Sequence, residues 1–228
     1  MSFLKRHQQI IEKVGPVSPL RLWLNTVVFS AFIFAACLGY LYWRSKSLST
    51  FSVNQAGANT GVILIGLSFL LSSICYFFNF ADTKIIYRKH LGIIGFAFGL
   101  AHVLLVVVFM PGIFPFSDWF GSEWLVALLG LIAVLLFSFM TVISTRYVVT
   151  VMGGKLWRTS LRYAGYAALI FVWFHSIIAT SPRWIGWLTQ PSGLPPLGLI
   201  VAVYSVVVVL ARLVLAVSLW RTAANTSA

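Results

Sequence analysis

HLGIIGFAFGLAHVLLVVVFM, His90–Met110, runs for 21 residues without an Asp, Glu, Lys or Arg. As an α-helix rising 1.5 Å per residue it is about 31 Å long, which matches the roughly 30 Å hydrocarbon core of a bilayer. A helix crosses that core alone because it pairs its own backbone N–H and C=O groups where no water is at hand. Outward from this stretch the pattern repeats. Apolar runs at about 21–43, 59–80, 123–143, 161–181 and 196–220 bring the spans to six. Hydrophobic residues make up 60% of the 228, a membrane composition. The expected fold is an all-α, integral membrane six-helix bundle over 21–220, with a basic tail at 1–20 and a short tail at 221–228. No nucleotide or flavin domain of ordinary size fits in what remains, and no Gly-rich phosphate loop joins a strand to a helix. The basic start precedes an apolar run of more than 20 residues. It therefore reads as a retained first helix, since a signal-peptide core is about 7–15 residues long.

Sixteen Lys and Arg face only four Asp and Glu, for a net charge of +12. With the N-terminus inside, twelve of the sixteen fall on that side, among them Lys5, Arg6, Lys84, Arg88, Lys89, Arg158 and Arg162. Arg44, Lys46 and Arg183 fall on the other side, and Arg212 lies within the last span. The positive-inside rule then places both termini in the cytoplasm. Topology accounts for the basic loops, so no nucleic-acid partner is expected. Cys37 and Cys75 lie in apolar runs without CxxC or CxxCH spacing and read as small packing residues. TGVILIGLSFLLSSICYFF, Thr60–Phe78, is rich in small residues that let helices approach, and its serines can bond across an interface or back to their own backbone. Trp119, Trp124, Trp184 and Trp187 fall near outer span ends, as an aromatic belt would.

His102 and His175 are the chemical anomaly. His102 lies thirteen residues beyond Lys89 and His175 fourteen beyond Leu161, so each rises about 20 Å along a helix from the same face. Both stop at one level in the outer half of the membrane. A lone intramembrane histidine often just hydrogen-bonds a neighbouring helix. Two at matched depth on non-adjacent spans point further, because polar groups in lipid are costly and mark cofactors or ion paths. An imidazole can ligate iron through one nitrogen while the other meets a second partner, and two would make a six-coordinate heme suited to electron transfer. A proton relay would want an intramembrane acid, but Glu12, Asp82, Asp118 and Glu123 fall in the tail, in loops or at a span end.

RKHLGIIGFAFGLAH, Arg88–His102, resembles the third helix of ferric reductase-like transmembrane domains, where a basic pair, a Leu-Gly step and an aromatic precede a heme-ligating histidine. LWRTSLRYAGYAALIFVWFH, Leu156–His175, resembles that family's fifth helix, and NTGVILIGLSFLLSS, Asn59–Ser73, its second. The similarity covers about 55–180 and is greatest to the heme-binding membrane subunit of the bacterial methionine sulfoxide reductase system. It implies heme b on His102 and His175, electron transfer towards the outer face, and a multi-pass place in a bacterial inner membrane. It also implies a cytoplasmic reductase or quinone as donor and a soluble outer acceptor. One departure matters. The family's fifth helix usually carries a second histidine thirteen residues before the first, for an inner heme, and here that position is Arg162, followed by the usual Tyr166. Arginine stays protonated and is no ordinary iron ligand. The resemblance therefore implies an outer heme and leaves the inner one unsupported.

His90 is the alternative inner ligand, although on an ideal helix it points about 120° from His102 while Arg88 is only about 40° off. Its plainer reading is an interfacial histidine beside Lys89. Arg88, Arg162 and Arg212 form an inner basic set able to hold heme propionates, a flavin phosphate or an anionic lipid, or simply to snorkel and signal topology. MPGIFPFSDWFGSEW and SPRWIGWLTQPSGLPP are expected as outer loops, with Asp118 and Glu123 as solvated surface acids or as lures for a basic partner. The other function classes left open are a non-catalytic membrane binding or assembly protein with a degenerate version of this fold, and a small transporter.

Overall fold

The computed structural model describes residues 18–226. Most of the expected basic tail, with His7 and Glu12, lies outside the described residues. Among them there is no strand. Six helical stretches are long and apolar enough to cross a membrane, the third running Ala81–Phe109 and the sixth Leu197–Thr222; their α-helices are α1 (Pro19–Ser45), α2 (Thr50–Phe77), α3 (Arg88–Leu104), α4 (Trp124–Ile143), α5 (Gly154–Thr189) and α6 (Leu197–Thr226). A 3-10 stretch, Asn79–Tyr87, leads into α3, and a π-type turn, Leu105–Phe109, extends it. The fold is the all-α six-helix bundle that the apolar runs predict.

α2 and α5 outrun their apolar runs furthest, each for a local reason. α2 begins at Thr50 because the Ser49 hydroxyl caps it, accepting from the Ser52 N–H at 3.2 Å. The helix therefore takes in Asn54 and Gln55. α5 is 36 residues long and passes through Pro182, so 181–189 is helix where the sequence predicts loop. Proline cannot bond back to the Ile178 carbonyl; the Ser181 hydroxyl donates to it instead, at 3.3 Å. A short helix, Phe116–Phe120, likewise interrupts the other expected loop.

The order of packing follows from which residues meet. α2 and α3 run antiparallel at a glycine crossing, where a Cβ on Gly61 would lie 2.9 Å from the Gly95 carbonyl and one on Gly95 would lie 3.0 Å from that of Gly61. α4 and α5 are also antiparallel: Trp157 Nε1 donates to the Ile143 carbonyl at 3.0 Å at one end, and His175 reaches Val126 towards the other. α6 lies parallel to α2, with the Tyr204 hydroxyl donating to the Ile63 carbonyl at 2.9 Å. The core where α2 to α6 converge is built from Ile65, Phe69, Phe96, Phe137, Ala168, Leu169 and Val208. α1 packs on the outside of α2 and α6 through Cys37, Leu41, Ala56, Leu197 and Val201. Cys37 and Cys75 are both buried and free, and Ser68 bonds across to the Arg88 carbonyl at 2.8 Å. The apolar side chains left facing outward, such as Phe32, Leu131, Leu135, Val203 and Val207, suit lipid.

Candidate functional site

α3 and α5 carry the two intramembrane histidines, and each helix packs closely on a different partner: α3 on α2, α5 on α4. Between themselves their backbones scarcely touch. The imidazoles of His102 and His175 are nonetheless close enough for a charge on one to act on the other. The two rings thus come from two separately braced helices.

Each ring is held by its Nδ1. His175 Nδ1 lies 2.8 Å from the carbonyl oxygen of Val126 on α4. A carbonyl can only accept, so Nδ1 carries the proton and Nε2 keeps its lone pair. The ring lies against Gly130, where a Cβ would come within 2.9 Å of Nδ1 and 3.0 Å of Cε1; only glycine leaves it that seat. His102 Nδ1 lies 3.0 Å from Oδ1 of Asn54 on α2. Asn54 is 3% exposed, and its amide oxygen fixes the same tautomer. Neither Nε2 has a hydrogen-bond partner among the described residues, and neither is sealed off as a buried unpartnered atom. Beside His102, one turn back along α3, a Cβ on Gly99 would meet no atom within 4 Å. The arrangement offers two neutral imidazoles whose free lone pairs belong to the same type of nitrogen.

Among the described residues no group of three or more His, Cys, Asp or Glu is placed to hold a metal ion. A bare ion bound by side chains usually draws on three or four donors. Two imidazoles suffice where the ligand itself fills the equatorial positions, as a heme does.

The other expected site residues divide into two places. Arg88, Arg162 and Arg212 lie near one another at the basic end of the bundle, and Arg88 feels the charge of both others. Arg212 Nη2 donates to the Tyr166 hydroxyl at 3.0 Å. His90 does not join them; its ring stands edge-on to Trp23 of α1, with centroids 4.6 Å apart. Asn54, the Val126 carbonyl and Gly130 are contributions that residue patterns alone did not reveal. Asn54 was open to detection, as an amide one capped helix start outside the apolar run. Compared with known proteins, the chain matches no protein-family model and no curated protein.

Proposed function

We propose that this protein is a membrane electron-transfer protein that holds one heme b between His102 and His175. The observation that carries the reading is the paired Nδ1 anchoring. A ligating histidine characteristically donates its other N–H to a carbonyl or carboxylate, which fixes tautomer and ring orientation and raises the basicity of the ligating nitrogen. Val126 and Asn54 supply such acceptors for both rings. The resemblance of Arg88–His102 and Leu156–His175 to the heme helices of ferric reductase-like domains points the same way. Bound there, with His102 and His175 as the residues that hold it, a heme would supply one-electron chemistry.

What the chain itself contributes is placement. Asn54 and Val126 hold the two rings, Gly130 leaves space for one of them, and the lipid-facing walls keep the pair out of water. With both termini in the cytoplasm the pair lies in the outer half of the membrane, so electrons leave towards the outer face. One outer heme leaves most of the bilayer uncrossed, and quinone or a flavin-bearing cytoplasmic reductase would supply the electrons to be handed to a soluble outer acceptor.

The test is the absorption spectrum of protein purified after expression with ample heme, alongside Asn54→Leu. The wild type should show a Soret band that shifts on dithionite reduction. The variant should retain the band with affinity for heme lowered about 10–100-fold, the usual cost of removing an outer-shell partner. Colourless wild-type protein would refute the reading and favour a non-catalytic membrane binding protein.

A further inference from the structure

Arg212 is an unusual residue for the interior of a bundle. It is 9% exposed, and its Nε is buried without a hydrogen-bond partner. Its Nη2 donates to the Tyr166 hydroxyl, and the faces of Phe69 and Tyr166 lie 5.7 and 5.2 Å from the guanidinium carbon. Arginine does not shed its proton, and a cation–π contact offsets part of the desolvation but not the net charge. Arg88 and Arg162 add two more positive charges nearby, from α3 and α5. Among the described residues no carboxylate pairs with any of the three. Asp82, on the stretch leading into α3, is the acid at this end, but it is not among the groups acting on Arg88; Asp118 and Glu123 sit at the opposite end of the bundle. Three mutually repelling guanidiniums, one of them buried, are costly unless an anion joins them.

The surrounding polar atoms indicate what kind of anion. One turn beyond Phe69 on α2, the hydroxyls of Ser72 and Ser73 are buried without partners. Arg212 Nε–H is likewise a buried donor without an acceptor. A carboxylate offers two oxygens and one charge, enough for one guanidinium fork. A phosphate offers more oxygens, and arginine forks match them in bidentate fashion. Arg88 opens α3, and the neighbouring Lys89 Nζ donates to the Ser144 carbonyl beyond the last residue of α4 at 3.0 Å, so the cluster opens towards the end of α4, where a phosphate can approach.

We propose that Arg88, Arg162, Arg212 and Tyr166 form a binding site for an anionic phosphate group at the basic end of the bundle. The group is the headgroup of an acidic phospholipid entering between helices, or a free phosphate from the aqueous side. The site is independent of the heme reading and stands or falls without it.

The test follows the thermal unfolding midpoint of the full chain in an uncharged detergent as phosphatidylglycerol, phosphatidylcholine or inorganic phosphate is added. A saturable rise with phosphatidylglycerol but not phosphatidylcholine identifies a lipid source; a rise with inorganic phosphate identifies a free one. Arg88→Gln and Arg162→Gln, both at exposed side chains, should each raise the half-saturating concentration about tenfold, as loss of a charged hydrogen bond does. Arg212→Gln should abolish the response, and if it does not fold the two exposed variants decide the matter. Arg158→Gln, an exposed arginine at the same end, should change nothing. No rise with any additive, or an equal loss in Arg158→Gln, overturns the proposal.

Discussion

His175→Ala and His102→Ala are each expected to yield folded, membrane-inserted protein with heme content reduced about tenfold or more, since loss of a ligand should cost at least what loss of an outer-shell partner does. The two positions should be equivalent in effect although their surroundings differ. His175 is held by a backbone carbonyl on α4 and His102 by a side chain on α2, so each helix pair presents one ligand. Removing either takes away one of the two residues that would hold the heme and leaves an acceptor unpaired. Gel filtration separates loss of heme from loss of fold, because the histidines lie away from the main core of Ile65, Phe69, Phe96 and Phe137. Heme retained in both variants with an unaltered spectrum would mean that other residues ligate it.

Gly95→Leu should produce the largest effect on stability. At this crossing a Cβ would already lie 2.9 Å from the Ile65 side chain and 3.0 Å from both the Gly61 carbonyl and the Ile65 backbone nitrogen. Two of those neighbours are backbone, which cannot rotate away, so α2 and α3 must separate. Overpacking of that kind costs about 1–3 kcal/mol and sometimes more. The unfolding midpoint in detergent should fall accordingly. Gly39→Leu, where a Cβ meets nothing within 4 Å, should be close to neutral. Because α2 also carries Asn54, parting it from α3 should loosen His102 as well. Equal stability of the two variants would mean that α2 and α3 do not cross at these glycines.

The spans were legible because bilayer thickness dictates their length and lipid tolerates so few polar residues within them. Their ends were less so. A serine cap at Ser49 and a hydroxyl standing in for the missing N–H of Pro182 carry α2 and α5 beyond their apolar runs, and neither changes hydropathy. The histidines stood out as polar residues in apolar sequence. Their anchors did not: Val126 contributes only its backbone, and Asn54 precedes the apolar part of α2. Arg88 and His90, two residues apart on α3, share a level but face different helices. Helical phase separates them, and the structure puts Arg88 with Arg162 and Arg212 while His90 meets Trp23 on α1. That Arg212 is buried beneath Tyr166 and Phe69 follows from packing alone, since its sequence position fits a snorkelling residue equally well.

The most direct test of one heme held by His102 and His175 is the number of hemes per polypeptide in the purified wild-type protein, measured from the reduced spectrum after extraction into pyridine. The expected value is one, falling towards zero in His102→Ala and His175→Ala. A value of two would require an inner ligand that Arg162 does not supply, and a value of zero under ample heme would remove the electron-transfer function altogether.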